Sequence, residues 1–272
     1  MWYGRPMDTI TTATGTIAYD ERGSGPAVVL LPSGAHDRRD YDELRDLLPA
    51  DVRTIALDWP AHGDSPAPVV PATAMAFAAA VEEVVAAVAP GGAVLVGNSV
   101  GGFAAARLAL TQPQRVAFLI LVDTGGFLGG PLTNAYCRVL GIPAVLRRVL
   151  PRFVRSYMHA QSGSDKAILQ RVTERARTTD GVELAAALWR SFAAPEANLR
   201  PRADQISAPT LIVWGSKDAA IPLRFGRATH RAIPGSRLEV LPTGHVPFSS
   251  QPERFLDVVG PFLAAAHPCS AR

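Results

Sequence analysis

The sequence predicts an α/β protein: a mostly parallel central sheet with helices on both faces, interrupted by an inserted helical segment. Three observations predict it. Short apolar runs alternate with helical patterns from Ala27 to Val122, the signature of parallel strands joined by crossover helices. Strand-like runs then vanish between Thr124 and Gln205, and the alternation resumes from Thr210 to Ala266. Residues 1–123 and 206–272 are therefore expected to form one α/β core, with residues 124–205 as a helical insertion.

The elements follow in order. Two early strands are expected around Thr9–Ala13 and Thr16–Asp20, turned at Gly15, before a Gly-Ser-Gly-Pro turn at 23–26. Ala27–Leu31 is continuously apolar, as a strand buried on both faces requires. Asp40 can cap a helix running to about Leu48, which Pro49 discourages from continuing. Val52–Leu57 reads as the next strand, and Thr73–Val88 as a helix with Thr73 at its cap. Ala93–Val96, Val100–Leu110 and Val116–Val122 read strand, helix, strand. The insertion opens on the glycine-rich GGFLGGP; its helices are expected at Asn134–Leu140, Ala144–Met158, Lys166–Arg177 and Val182–Ala193. Breaks are expected at Gly141–Pro143, Gly163 and Gly181. The chain closes with a strand at Thr210–Trp214, a helix at Leu223–Ala232, a strand at Arg237–Leu241 and a helix at Pro252–Ala266, whose first turn holds a proline.

Composition narrows the function classes. With 272 residues, 48% hydrophobic and 19% charged, the chain is no disordered polyelectrolyte. Cys137 and Cys269 are too few for a disulfide framework and too far apart for a CxxC site. A reducing, cytoplasmic setting is the expectation. The N-terminal MWYGRPMDTITTATG lacks the basic-then-apolar pattern of an export signal. Ala72–Ala89, interrupted by Glu82 and Glu83, is shorter than the roughly 20 residues that span a bilayer. Residues 124–205 hold 12 Arg and Lys against 6 Asp and Glu, a balance of +6, while the remainder holds 15 against 18, or −3. The basic residues form no groove-reading motif, so a small anionic substrate is a better partner for them than nucleic acid. Neither a membrane nor a nucleic acid is an expected partner.

The strongest chemical signal is Gly97-Asn98-Ser99-Val100-Gly101, followed by Gly102. It is a G-x-S-x-G pattern between a buried strand and a small-residue helix. A turn that tight lifts the Ser99 hydroxyl above the sheet, and the helix N-terminus beside it favours developing negative charge. A serine hydroxyl needs a base to remove its proton. His245, in LPTGH just after the last strand, is the candidate base, and Asp218, in WGSKD after the preceding strand, the candidate acid. Both follow strand ends, so all three meet at the carboxyl edge of the sheet, where open α/β folds hold their ligands. Asp123, also at a strand end, is the alternative acid. His36, His62 and His159 are read as structural or solvated. No HExxH, paired CxxC or carboxylate cluster indicates a metal, and neither Gly23-Ser24-Gly25 nor the Gly125–Gly130 run has the context of a dinucleotide site. No cofactor is expected.

Taken together, Tyr19–Pro26, Val28–Gly34, DWPAHGDS at 58–65, GNSVGG, Leu121–Asp123, WGSKD and TGHVPF resemble the α/β-hydrolases over nearly the whole chain. The resemblance implies a nucleophile at Ser99, an acid at Asp218, a base at His245, and a cap or lid made by residues 124–205. It implies an oxyanion hole from the backbone N–H groups of Val100 and, by register, Gly34. In relatives a His-Gly-x motif precedes that second donor, where this chain has Pro32 and Ser33. The implied chemistry is hydrolysis of a carboxylic ester or lactone through an acyl-enzyme. Carbon–carbon hydrolysis of ring-fission diketo acids comes next, then metal-free perhydrolysis, and a non-catalytic ligand receptor is the rival from another class.

Overall fold

Alternation along each strand divides the interior into two layers. In β3 (Ala27–Leu31), Ala27, Val29 and Leu31 join one apolar cluster, and Val28 and Leu30 the other. Successive side chains of a strand point to opposite faces, so a strand covered on both sides must be apolar throughout. The same division holds in β5 (Ala93–Asn98), with Leu95 on one side and Val94 and Val96 on the other. In β7 (Thr210–Gly215), Ile212 and Trp214 lie opposite Leu211 and Val213.

The computed structural model describes residues 7–266; the first six residues and Cys269 lie outside it. With β1 (Asp8–Thr12), β2 (Gly15–Arg22), β4 (Arg53–Leu57), β6 (Val116–Val122) and β8 (Arg237–Leu241), the strands form one eight-stranded sheet in the order β1-β2-β4-β3-β5-β6-β7-β8. β1 and β2, and β2 and β4, pair antiparallel; every other pair is parallel. The α/β-hydrolase fold expected from the motifs is thus the fold observed. Helices α2 (Ala74–Val88) and α3 (Val100–Thr111) cover one face. Helices α1 (Asp42–Leu47) and α10 (Pro252–Ala266) belong to the other.

Between β6 and β7 the chain makes four α-helices and, among the described residues, no strand: α4 (Pro131–Leu140), α5 (Pro143–Met158), α6 (Gly163–Arg175) and α7 (Thr179–Ser191). Then come α8 (Leu223–Ala232) after β7 and the one-turn α9 (Pro247–Ser250) after β8. No described helix is long and apolar enough to cross a membrane.

Three local expectations need correction. Asp40 does not cap α1, whose N-cap position is Tyr41 with no side-chain cap; Asp37 accepts from Arg39 N–H and opens a 3-10 turn over Arg38–Tyr41 that leads into the helix. Asp40 is instead buried in that turn as a partner of His36 and Arg171. Nor are Gly163 and Gly181 breaks. Gly163 starts α6, and Gly181 lies in the first turn of α7, its N–H accepted by the Thr178 hydroxyl at 3.0 Å.

Candidate active site

Ser99, between β5 and α3, has a backbone that L-residues rarely adopt, φ 56° and ψ −112°. The neighbouring chain imposes it. A Cβ at Gly101 would collide with the Leu31 carbonyl oxygen and one at Gly97 with that of Gly101, so only glycine allows β3, β5 and α3 to converge here. Ser99 N–H donates to the Val122 carbonyl at 3.0 Å, and its own carbonyl accepts from Phe103 and Gly125, each at 3.0 Å. The backbone is thus held on both sides while the side chain points away. Asp123 (φ 43°) and Ala35 (φ 67°) are likewise in the left-handed region. Three strained non-glycine residues gathered around one point mark a site that the surrounding structure over-determines.

His245 and Asp218 are brought together. Nδ1 of the ring lies 2.6 Å from Asp218 Oδ2, and both side chains are buried. The other Asp218 oxygen accepts from the N–H groups of Ala220 (2.7 Å) and Ile221 (3.1 Å), which fixes the carboxylate plane. The His245 loop is tied down twice: its N–H donates to the Tyr157 carbonyl at 2.9 Å, and its carbonyl accepts from Asn98 Nδ2 at 2.9 Å. Gly244 admits that contact with α5, since a Cβ there would strike the carbonyls of Tyr157 and Met158.

The ring's free nitrogen does not hydrogen-bond Ser99. His245 Nε2 lies 3.4 Å from Ser33 Oγ, and Ser99 Oγ has no hydrogen-bond partner among the described residues. Ser33, Gly34, Ser99, Val100 and His245 nevertheless all line one cavity of about 670 Å³. Val100 N–H, at the first turn of α3, and Gly34 N–H make no hydrogen bond to the backbone outside helices and strands, and both residues face that space.

Asp123 lies directly behind the pair. Its carboxylate accepts from Gly215 N–H at 3.0 Å, and one oxygen each from Asp123 and Asp218 and a His245 ring nitrogen lie within 4.8 Å of one another. Burial, reinforced by the Asp218 charge, pushes the Asp123 carboxyl well above the usual range.

The other histidines serve the frame. His62 is buried; its Nδ1 donates to the Pro60 carbonyl at 2.9 Å, and its Nε2 accepts from Ala35 N–H at 3.0 Å, holding the loop after β3. Burial, with a contribution from Arg175, pushes its pKa down to about 3. His36 joins Asp40 through Nδ1 and the Tyr157 hydroxyl through Nε2 at 3.0 Å. The Tyr157 ring in turn packs edge-on to His245, with centroids 5.3 Å apart. His159 ends α5 in the left-handed conformation and does not line the cavity. Tyr157 and Asn98 are contacts the sequence reading missed, since nothing in their local spacing marks them; Ser33 was visible only as a departure from a motif.

The cavity walls are mainly apolar and aromatic, including Tyr136, Leu150, Phe153, Trp189, Phe192 and Phe225. Arg175 and Arg224 also line it, whereas no Asp or Glu does among the described residues. Arg175 gives one guanidinium N–H to the Ala61 carbonyl, and its buried Nε has no partner among the described residues. Cys137 lies in the wall, and burial pushes its thiol up to about 11, so it is no thiolate nucleophile at neutral pH.

Eight strands in this order, with polar chemistry gathered at their carboxyl ends, are the framework of hydrolases of the α/β fold. The sequence profile of the alpha/beta hydrolase family matches residues 28–258, and the chain belongs to that family. It is similar to a pimeloyl-[acyl-carrier protein] methyl ester esterase from Neisseria meningitidis, at 32% identity over 89% of this chain and 96% of that protein. An uncharacterised protein from Mycobacterium tuberculosis is 28% identical over 92% of this chain and 79% of its own length. Among solved structures, a thermophilic esterase from Thermogutta terrifontis superimposes with a TM-score of 0.79 at 26% identity, covering 97% of this chain and all of that one.

Proposed function

We propose that this hydrolase cleaves a small carboxylic ester or lactone by covalent catalysis, with Ser99 as nucleophile, His245 as base and Asp218 as the orienting acid. The observation that carries this reading is the 2.6 Å His245–Asp218 contact, which opens onto the same cavity as a serine on a strained strand-to-helix turn. Asp218 accepts a hydrogen bond from Nδ1–H and so leaves Nε2 as the basic nitrogen. The ring turns from Ser33 toward Ser99, takes its proton, and the serine oxygen attacks the carbonyl carbon. The N–H groups of Val100 and Gly34 receive the oxyanion, a contribution of about 10²–10³ in rate per donor. The alcohol leaves with the proton from His245, and water enters by the same route to release the acid.

Residues 124–205 act in this reading as the cap, since α4 to α7 supply much of the cavity wall. Arg175 and Arg224, unopposed by any lining carboxylate among the described residues, favour a substrate bearing an anionic group alongside an apolar body. The similarity to a methyl ester esterase from Neisseria supports ester over carbon–carbon cleavage. Phe248, the aromatic after His245, is stacked on Tyr41 with centroids 4.1 Å apart and is not part of the cavity lining.

Ser99→Ala tests the proposal. Turnover of a short p-nitrophenyl ester should fall by orders of magnitude, and a fluorophosphonate probe should label the native protein at Ser99 and not the variant. Equal turnover in the variant overturns the mechanism. Absence of both turnover and labelling in the native protein moves the reading to a ligand receptor.

A further inference from the structure

Two carboxyl groups, from the ends of adjacent strands, stand behind a single imidazole. Asp123 follows β6 and Asp218 follows β7, and both are buried, at 0% and 4% exposure. No arginine or lysine pairs with either among the described residues; the one cationic partner available is His245. The uncharged hydroxyls of Tyr136 and Tyr157 are the other titratable groups that feel the Asp218 charge. Two such carboxylates this close cannot both be ionised in a dry interior. Asp218 already has an N–H donor for each oxygen: His245 for one, and Ala220 and Ile221 for the other. Among the described residues, Asp123 receives only Gly215 N–H. The solvation is lopsided, and it decides which carboxyl stays charged.

We infer that Asp123 is held as a neutral carboxylic acid whose proton is shared with Asp218, so that the acid of the site is a two-carboxyl unit and Asp123 its positioning residue. The shared proton orients Asp218 toward His245 and spreads the charge that the imidazolium must face. It also leaves a reserve. When Asp218 is made uncharged, the repulsion that keeps Asp123 protonated disappears, and Asp123 ionises within reach of the same ring. The same three side chains do not suit a cation in this arrangement. Ligands about 2.0–2.2 Å from an ion stand farther from each other than the 2.6 Å between His245 Nδ1 and Asp218 Oδ2.

The kinetic arm of the test rests on the proposed serine mechanism; the spectroscopic arm does not. Asp123→Asn suits the site, because asparagine tolerates a positive φ and its amide can donate to Asp218 as the acid does. The infrared difference between native protein and Asp123→Asn at neutral pH should show a protonated carboxyl band in the native protein alone. In ester turnover, Asp123→Asn should cost less than tenfold and Asp218→Asn about 10²-fold, while the double variant loses about 10⁴-fold, the usual cost of removing the acid outright. That pattern is non-additive. Absence of the infrared band overturns the inference, as does a double variant no worse than the product of the two single effects. If the native protein hydrolyses no ester, the mechanism fails while the infrared result still decides the protonation.

Discussion

His62 has no room for a second proton. Its Nδ1 hydrogen is committed to Pro60 and its Nε2 lone pair to the Ala35 N–H, so protonation would set two donors face to face in a buried place. The folded form resists charging until about pH 3, whereas the unfolded chain takes up the proton near 6.5. Between those values the unfolded state binds more protons, so stability falls as pH falls, by about 5 kcal/mol across the whole window. Urea midpoints measured from pH 7 downward should drop less steeply in His62→Gln than in the native protein; parallel slopes would rule the account out. Ser33 poses the opposite question, of how little a contact can matter. At 3.4 Å its hydroxyl makes a long hydrogen bond to His245, worth no more than about 1 kcal/mol, so Ser33→Ala should change kcat/KM by less than about fivefold. A loss of a hundredfold or more would give Ser33 a part in the chemistry itself.

Helix ends are where sequence and structure agree most and least. Thr73 was legible as a cap, and its Oγ1 accepts from Ala76 N–H at 3.0 Å. Thr73→Ala should lower stability by about 1 kcal/mol, read as a shift in denaturant midpoint with no change in turnover. Asp40 has the same composition signal and fails, because its carboxylate is drawn to His36 and Arg171 across a fold the local sequence does not reveal. Gly181 looked like a stop and is a helix start, since Thr178 supplies the cap that glycine lacks. Strands, by contrast, were readable to within two residues at each end, and to the residue in Ala27–Leu31, where burial on both faces demands a run of apolar residues with sharp ends. The positions of Ser99, Asp218 and His245 after strands were legible for the same reason. The Ser33–His245 contact was not, because it joins residues 212 positions apart.

At the scale of the molecule, the proposed anionic substrate would link charge to cavity. The segment between β6 and β7 carries the excess of arginine, and Arg171 ties it to Asp40 of the core at 2.8 Å. Exposed charges of one sign over a cavity mouth raise the local concentration of anions, and salt screens them within about 10 Å at 0.1 M. The kcat/KM of an anionic ester should therefore fall about three- to tenfold from low to physiological ionic strength, while a neutral ester of the same acyl group changes little. Equal responses would remove the case for an anionic substrate. Cys137 on α4 gives this segment a further use. The side chain is buried in the cavity wall, and burial holds its proton tightly. At 3% exposure it should react with a bulky alkylating reagent only when the wall around it moves. The rate at which mass spectrometry finds residue 137 modified is thus a clock for how often the chamber breathes, and an occupant that fills the chamber should slow it.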